Sequence, residues 1–279
     1  MPDSEVATIN VSNTLIDLSD PLIMGVINLT PDSFFDGGRY SLIDNAIEQA
    51  RKLLVEGADM LDVGAYSSRP GASYVTEQEE IDRLIPFVER CKWEFPDAII
   101  SIDTFRSEVA KAAISNGAHL INDISGGSLD DAMFEMIGRL QVPYILMHMR
   151  GTPETMQSLT NYEDLMSEIC IYFAEKIGLL RSYGVKDIIL DPGPGFAKNL
   201  DQNFELINRF SEFKIFGLPL LGAISRKSMI YKSLGVSAQD ALNGTTALNT
   251  VLLLKGANIL RVHDVKEAKE VVLLIKKLK

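Results

Sequence analysis

Eight short apolar runs recur along the chain at even spacing, and this recurrence limits the fold more than any other feature. Each run ends near a polar residue, and glycine or proline often follows before a segment of helical periodicity begins. Nearly unbroken hydrophobicity predicts strands that are buried on both faces, as in a parallel sheet. The runs are residues 22–28, 60–64, 99–103, 119–124, 144–148, 188–191, 220–225 and 259–263.

Glycine ends several of the helical segments, and alanine or valine and the next strand follow at once. The four instances are Gly57, Gly117, Gly184 and Gly256. A glycine in the left-handed conformation is a common end of a helix. The recurrence therefore indicates one repeated βα unit.

Eight such units without a linker predict a single α/β domain over residues 1–279, in the form of a (β/α)8 TIM barrel. A doubly wound open sheet is the alternative, but eight evenly spaced units favour a closed barrel over residues 21–279. Within residues 1–20, two short alternating segments flank Ser12 and Asn13. They predict an N-terminal β-hairpin that caps one end of the barrel.

The composition excludes several classes of function. The net charge of −11 argues against a nucleic-acid partner, and an anionic ligand would need a local basic cluster. Two distant cysteines, Cys91 and Cys170, favour the reducing cytoplasm over a disulfide framework. No apolar run reaches the roughly 18 residues of a membrane span, and the first residues show no signal-peptide pattern. We therefore expect a cytoplasmic protein without a membrane partner.

Polar side chains occur at the end of every predicted strand. The active sites of (β/α)8 barrels lie at the carboxyl ends of the strands, so we expect a binding site at their common mouth. One of these residues, Asp191, follows three apolar residues and precedes a rigid Pro-Gly-Pro-Gly segment. The full set comprises Asn28, Asp62, Asp103, Asn122, Asp123, His148, Asp191, Arg226, Lys227, Arg261 and His263.

The loops after the first two strands carry further candidates. Residues 29–40 are long for a βα connection and contain a double glycine, which predicts a mobile lid. The second loop, residues 65–72, is polar and punctuated by glycine and proline. Both fit ordinary solvated loops as well, but Phe34 and Arg69 stand out among small residues and favour substrate contact.

Seven motifs, in order and in register, resemble the signature blocks of the dihydropteroate synthase family of pterin-binding TIM barrels. They are NLTPDSF (28–34), SSRPG (67–71), SIDT (101–104), INDIS (121–125), DPGPGF (191–196), SRKSM (225–229) and RVH (261–263). One such block is weakly specific, whereas seven in register are highly specific. The resemblance runs from residue 21 to the end of the chain.

The resemblance implies a transferase of folate biosynthesis that is a target of sulfonamides. Such an enzyme condenses (7,8-dihydropterin-6-yl)methyl diphosphate with 4-aminobenzoate and releases 7,8-dihydropteroate and diphosphate. The resemblance also implies Mg²⁺ as cofactor, with Asn28 as its protein ligand, and a homodimer formed through barrel helices.

The residues fit this chemistry. A carboxylate accepts a paired amino group and ring N–H of a pterin, which is the role expected of Asp191. We expect Asp103 and Asn122 to contact other ring edges, and Lys227 to donate to the pterin carbonyl. For the departing diphosphate, the expected contacts are Arg261 and His263, which alternate on one strand and therefore point to the same side.

The remaining assignments follow from the resemblance. The closing loops would form the aminobenzoate pocket, and the aminobenzoate carboxylate would meet Ser228. The expected catalytic residues are Lys227, Asp36 and Arg69. The further substrate-binding residues are Phe34, Ser68, Pro70, Phe196 and Ser228.

The chain departs from the commonest family pattern in the second loop. Tyr66 replaces an acidic residue, and Ser68 replaces a threonine but keeps the hydroxyl. Two rival functions remain: a methyltransferase that moves a methyl group from methyltetrahydrofolate to a corrinoid protein, and a catalytically silent pterin-binding barrel. An intact diphosphate site of Asn28, Arg261 and His263 favours the synthase over both.

Overall fold

The computed structural model describes residues 8–29, 39–66 and 75–278, which form a small hairpin and a large parallel barrel. The hairpin strands are β1 (Thr8–Val11) and β2 (Thr14–Asp17). The barrel strands are β3 (Leu22–Asn28), β4 (Met60–Gly64), β5 (Ile99–Asp103), β6 (Leu120–Asp123), β7 (Tyr144–Met147), β8 (Ile188–Asp191), β9 (Leu221–Gly222) and β10 (Ile259–Val262).

Helices alternate with the barrel strands and surround them. They are α1 (Arg39–Val55), α2 (Glu77–Glu94), α3 (Ser107–Ser115), α4 (Met133–Leu140), α5 (Leu165–Ser182), α6 (Leu200–Asn208), α7 (Ser228–Leu234), α8 (Leu242–Leu254) and α9 (Val265–Lys276). Outward-facing strand residues such as Ile23 and Ile100 are fully buried against helix residues such as Ile47 and Phe87. Each such side chain contributes about 1.5–3 kcal/mol through removal from water.

The barrel strands are parallel and follow the order β8-β7-β6-β5-β4-β3-β10-β9. The two ends of this order meet at a parallel bridge between Leu190 and Leu220, where the Leu190 amide donates to the Pro219 carbonyl over 2.9 Å. The predicted closed barrel is thus confirmed, and the open-sheet alternative is wrong. The seventh barrel strand, β9, is shorter than predicted because only Leu221 and Gly222 pair with β10.

The predicted glycine helix ends are confirmed. Gly57, Gly117, Gly184 and Gly256 all have φ between 81° and 110°. At Gly57, the amide of the next residue bonds the carbonyl of Leu53 over 2.9 Å, and the Gly57 amide bonds Leu54 over 3.1 Å. This nested pair satisfies the last carbonyls of the helix and turns the chain into the next strand.

The hairpin closes the amino-terminal end of the barrel, as the sequence predicted. Its turn residues Ser12 and Asn13 have φ values of 49° and 66°, which suit a two-residue hairpin turn. Ile9 and Val11 are buried in one cluster with residues from the early parts of the strands, including Met60. The opposite end, where the strands finish, is therefore the end that is left for a site. Within the described residues, no helix is both long and apolar enough to cross a bilayer.

Candidate active site

The strand register brings the predicted polar residues of β3 to β6 side by side at the carboxyl end. Asn28 lies opposite Gly64, Gly64 opposite Asp103, and Asp103 opposite Asn122. Neighbouring parallel strands that end at the same level present their last side chains to one mouth. The predicted arrangement of Asn28, Asp103 and Asn122 around this mouth is therefore present in the fold.

Asp62 joins four strands below that mouth. Its side chain is fully buried, and Oδ1 accepts from the Ser101 hydroxyl over 2.5 Å. Oδ2 accepts from Asn122 Nδ2 over 3.0 Å and from Arg261 Nε over 2.6 Å. The Arg261 Nη2 reaches Asp103 Oδ2 at 2.7 Å. Arg261 is thus held between two carboxylates, a pairing that the sequence did not predict.

The carboxylates and the guanidinium of this network shift the pKa values of Arg261 and Asp103. Burial lowers the pKa of Arg261, but Asp62 and Asp103 outweigh it and raise that pKa above its usual range. Burial raises the pKa of Asp103, the cation of Arg261 opposes this change, and the Asp62 carboxylate adds to it. We call the polar site at the carboxyl ends of the barrel strands the cup. Around Arg261 the cup holds more acidic than basic groups, so it is suited to a ligand that supplies N–H donors.

Asp191 and Lys227 form the other side of the cup. Asp191 ends β8 and is buried, and its Oδ1 accepts from the Gly193 amide over 2.8 Å. Burial raises the pKa of Asp191, while Lys227 lowers it. Lys227 Nζ donates to the Pro194 carbonyl over 2.5 Å and lies 4.7 Å from the centre of the Phe196 ring. Burial lowers the pKa of Lys227 to about 8 against the opposing effect of Asp191.

The turn before α7 aims Lys227 at this cup. Arg226 has the left-handed φ of 55°, and its guanidinium forms a two-pronged pair with Asp264, with distances of 2.8 and 2.7 Å. Lys227 and Ser228 follow this turn, and Ser228 begins α7. The Arg226–Asp264 pair therefore ties the loop after β9 to the loop after β10.

His263 follows the end of β10 and is exposed at the rim of the mouth. Its amide donates to the Ser225 hydroxyl over 3.2 Å, and its Nδ1 lies 3.1 Å from the same oxygen. Asn28 is likewise exposed. Asn28 and His263 are thus exposed, whereas Arg261 is partly buried between Asp62 and Asp103, so the site has a polar buried part and an exposed rim.

Other strand-end residues have structural contacts. Asp123 accepts from the Ser125 and Gly127 amides and from the Tyr144 hydroxyl, and so shapes the loop after β6. His148 is buried, and its Nδ1 lies 2.9 Å from the ammonium of Lys198. Lys198 is itself buried beside the Asp191 loop and was missed in the sequence, because nothing distinguishes it there from an exposed lysine.

Five predicted site residues, Phe34, Asp36, Ser68, Arg69 and Pro70, lie outside the described residues.

Arg106 contacts described residues on both sides of residues 67–74, in and after the second loop. Its Nη1 pairs with the buried Glu80 over 2.6 Å, and its Nη2 donates to the Val75 carbonyl over 2.7 Å. The guanidinium carbon also lies 5.4 Å from the centre of the Tyr66 ring, which packs edge-on against Phe105. Tyr66, the departure noted in the sequence, is thus accommodated by an aromatic and cationic partner.

The sequence and the fold match a known class of enzyme. The sequence pattern of the family described as "Pterin binding enzyme" matches residues 24–263. The chain belongs to this class. The dihydropteroate synthase of Escherichia coli K12 is 43% identical over 259 residues, which cover 92% of this chain and 91% of that protein. At this level of identity and coverage, the chain belongs within the class to the dihydropteroate synthase family.

Solved structures agree with this assignment. The Yersinia pestis dihydropteroate synthase, in complex with a sulfonamide drug, is 40% identical, with a TM-score of 0.91 and coverage of 97% of this chain and 98% of its own. The Xanthomonas albilineans dihydropteroate synthase, with 4-aminobenzoic acid, is 32% identical, with a TM-score of 0.91 and 98% coverage of both chains. The expected fold and family are therefore confirmed.

Proposed function

We propose that the chain condenses (7,8-dihydropterin-6-yl)methyl diphosphate with 4-aminobenzoate, releasing 7,8-dihydropteroate and diphosphate. The observation that carries this proposal is the meeting of Asn122, Asp191 and Lys227 in one cup whose rim bears His263. Acids and an amide at the bottom suit a flat heterocycle with several N–H groups, and the rim suits an anion. Membership of the dihydropteroate synthase family agrees with the same chemistry.

Pterin recognition rests on Asp191 in this proposal. Its carboxylate accepts the 2-amino group and the adjacent ring N–H as a pair, because two parallel charge-assisted bonds fix both position and angle. Lys227 donates to the carbonyl edge and offsets the carboxylate. Asp103 and Asn122 contact other edges of the ring, held in place by Arg261 and Asp62. A site of buried polar groups rejects analogues that lack the matching groups.

Arg261 and His263 stabilise the departing diphosphate, together with Ser68 of the second loop. Arg261 already pairs with two carboxylates, so it adds little net positive charge to the site. A guanidinium has five N–H donors, and those that remain can orient the diphosphate by hydrogen bonds. Positioned donors of this kind stabilise charge that develops in the transition state. Electron donation from the reduced ring stabilises the positive methylene carbon as its bond to oxygen loosens.

The described residues suit a magnesium ion that has one protein ligand and is otherwise bound by the substrate. Mg²⁺ prefers hard oxygen ligands and keeps waters and substrate phosphates as its other ligands. Asn28 offers an amide oxygen at the exposed end of β3, whereas the described residues contain no group of three or more acids, histidines or cysteines around one point. Asn28 would thus anchor an ion that the diphosphate holds. When bound, the ion would neutralise charge on the leaving group.

The second substrate, 4-aminobenzoate, would bind beside the pterin. The carboxylate of 4-aminobenzoate meets the Ser228 hydroxyl, and Phe196 lines the pocket. The neutral arylamine nitrogen attacks the methylene carbon as the carbon–oxygen bond to diphosphate breaks. The new C–N bond makes the nitrogen acidic, so its proton passes to the departing diphosphate or to water and the reaction needs no strong general base. Lys227, Asp36 and Arg69 act by orienting the two substrates and stabilising charge. We also assign Phe34, Asp36, Ser68, Arg69 and Pro70 to substrate binding, as the family resemblance implies.

One assay tests the proposed reaction. The purified chain receives the dihydropterin diphosphate, 4-aminobenzoate and Mg²⁺, and diphosphate release is measured. We expect release that depends on both substrates and that a sulfonamide inhibits. Release that is equally fast without the arylamine would contradict the proposal. Methyl transfer from methyltetrahydrofolate to a corrinoid is the corresponding test of the rival enzyme.

A homodimer is also part of the proposal. Leu254 at the end of α8 and Leu273 and Leu274 on α9 are 62%, 55% and 68% exposed, and these two helices pack against each other, so we propose that they contribute an apolar surface to the dimer interface. Sedimentation velocity should give the mass of two chains, and Leu254→Lys with Leu274→Lys should give one. A cytoplasmic location fits the two cysteines, which are both free.

A further inference from the structure

The segment between Asp191 and Phe196 is held by lysines on two sides. Lys227 bonds the Pro194 carbonyl from the side of the cup. From beneath, the Nζ of Lys198 lies 3.0 Å from the Gly193 carbonyl and 3.0 Å from the Phe196 carbonyl. Lys198 is only 3% exposed, although nothing in the proposed reaction uses it.

The surroundings of Lys198 fit an ammonium group. An ammonium has three N–H donors, and Lys198 has three acceptors: the two carbonyls and His148 Nδ1 at 2.9 Å. Burial, with the cations of Lys198 and Arg150, lowers the pKa of His148 well below its usual range. A neutral imidazole accepts at Nδ1 when the proton is on Nε2. A neutral amine would instead turn its lone pair toward one of the three acceptors.

The Asp191 carboxylate opposes the effect of burial on the Lys198 ammonium. Burial lowers the pKa of Lys198 well below its usual range, Asp191 raises it, and Lys227 and Arg150 lower it further. In return, the cations that lower the pKa of Asp191 against its burial are Lys227, Arg261 and Lys198. The same buried cation thus favours the ionised form of the carboxylate.

Two residues that contact Lys198, Gly193 and His148, also contact Asp191. The Gly193 amide donates to Asp191 Oδ1, and the His148 amide donates to the Asp191 carbonyl over 2.9 Å. Gly193 has a φ of 66°, and a Cβ there would lie 2.2 Å from the His148 carbonyl oxygen. Lys198 and His148 together therefore hold the turn from which Asp191 projects.

We propose that Lys198, which contacts His148, is a positioning residue for pterin recognition and fixes the turn from which the Asp191 carboxylate projects. The inference rests on the proposed function, because it assigns Lys198 to the pterin side of that site. Lys198 does not touch the substrate. It acts through Asp191, so its loss should affect pterin binding and spare the affinity for aminobenzoate.

The test is Lys198→Met, which keeps the length of the side chain and removes the charge. Binding of 6-hydroxymethyl-7,8-dihydropterin is measured by calorimetry between pH 5 and 8. We expect affinity at pH 7 to fall about 10- to 100-fold, as for loss of hydrogen bonds to a charged group. As the pH falls, binding should weaken when Asp191 becomes protonated, and we call the pH of half-maximal affinity the acid limit. The variant lacks one of three cations near Asp191, which favours protonation, so the acid limit should rise by about 0.5–1 pH unit. Lys186→Met, at an exposed lysine, is the matched control.

Three outcomes decide the matter. A lower melting temperature with unchanged pterin affinity and an unmoved acid limit would mean a merely structural lysine and would overturn the inference. If Lys198→Met does not fold, His148→Phe replaces it, since phenylalanine retains the ring that packs 4.9 Å from Tyr172 and removes one acceptor. Unchanged pterin affinity in that variant would also overturn the inference. A wild-type chain that binds pterin but releases no diphosphate would count against the proposed function alone.

Discussion

Asp62 offers the sharpest test of how the cup is held together. Its buried carboxylate accepts from Ser101, Asn122 and Arg261, while Arg261 keeps Asp103 as a second partner. Asp62→Ala removes three charge-assisted hydrogen bonds. At the lower value of about 1.5 kcal/mol each, the free energy of unfolding should fall by about 4–5 kcal/mol. This agrees with about 3–5 kcal/mol for breaking a buried ion pair.

Asp62→Asn separates charge from hydrogen bonding. With its carbonyl toward Arg261 and Asn122 and its amide toward the Ser101 hydroxyl, asparagine keeps all three contacts but loses the negative charge of the carboxylate. Neutral hydrogen bonds are about half as strong as charge-assisted ones, so the loss should be about 2 kcal/mol. Asparagine should therefore cost about half as much as alanine.

The assay is equilibrium urea unfolding at pH 7, followed by far-ultraviolet circular dichroism. Asp20→Asn is the control, because Asp20 is 60% exposed in its pair with Lys276 and should contribute less than about 1 kcal/mol. If both Asp62 variants unfold at the urea concentration of the Asp20 variant, the buried network does not stabilise the barrel. If asparagine costs as much as alanine, the separation of charge from hydrogen bonding is wrong.

Three further predictions concern the turn and its lysine. Lys227→Ala and Asp191→Asn should each weaken pterin binding by about 1.5–3 kcal/mol in calorimetry, and unchanged affinities would remove both residues from the site. Because the pKa of Lys227 is lowered to about 8, its ammonium is lost as the pH rises through that value, so kcat/KM for the pterin substrate should fall above it. That fall should be absent in Lys227→Met, and a fall that persists there belongs to another group. Gly193→Ala, with its Cβ 2.2 Å from the His148 carbonyl, should destabilise the chain by more than about 3 kcal/mol in urea unfolding, whereas Gly178→Ala, with no atom within 4 Å, should stabilise α5 by up to about 1 kcal/mol.

The fold followed from the sequence because its main signals are local and repeated. Buried parallel strands need continuous hydrophobicity, and the left-handed helix end needs glycine, so both leave marks in the sequence. The bounds of β9 did not follow, because pairing with β10 and not composition decides where that strand ends. The closing bridge at Leu190 is a long-range contact that no local pattern encodes.

The site followed in part. The polar residues near the strand ends, Asp62 among them, predicted where the mouth lies, but the sequence analysis named no partner for Asp62, which lies two residues before the end of β4. A carboxylate within an apolar strand requires a buried partner, and that rule would have pointed to Arg261. Lys198 and Arg106 left no such signal, since a lysine or arginine in a loop is usually exposed.

The seam between β8 and β9 has a consequence for how ligands and the barrel affect each other. Elsewhere the strands are joined by regular ladders, whereas here a single bridge at Leu190 and Leu220 closes the ring. Asp191 and Lys227 stand on opposite sides of this seam, and the contact of Lys227 with Pro194 crosses it. A bound heterocycle that contacts both residues would link β8 to the loop after β9 and so stabilise the closure of the barrel. Ligand binding should therefore slow hydrogen exchange most at the backbone amides of β8 and β9, and least at those of the N-terminal hairpin at the opposite end of the barrel.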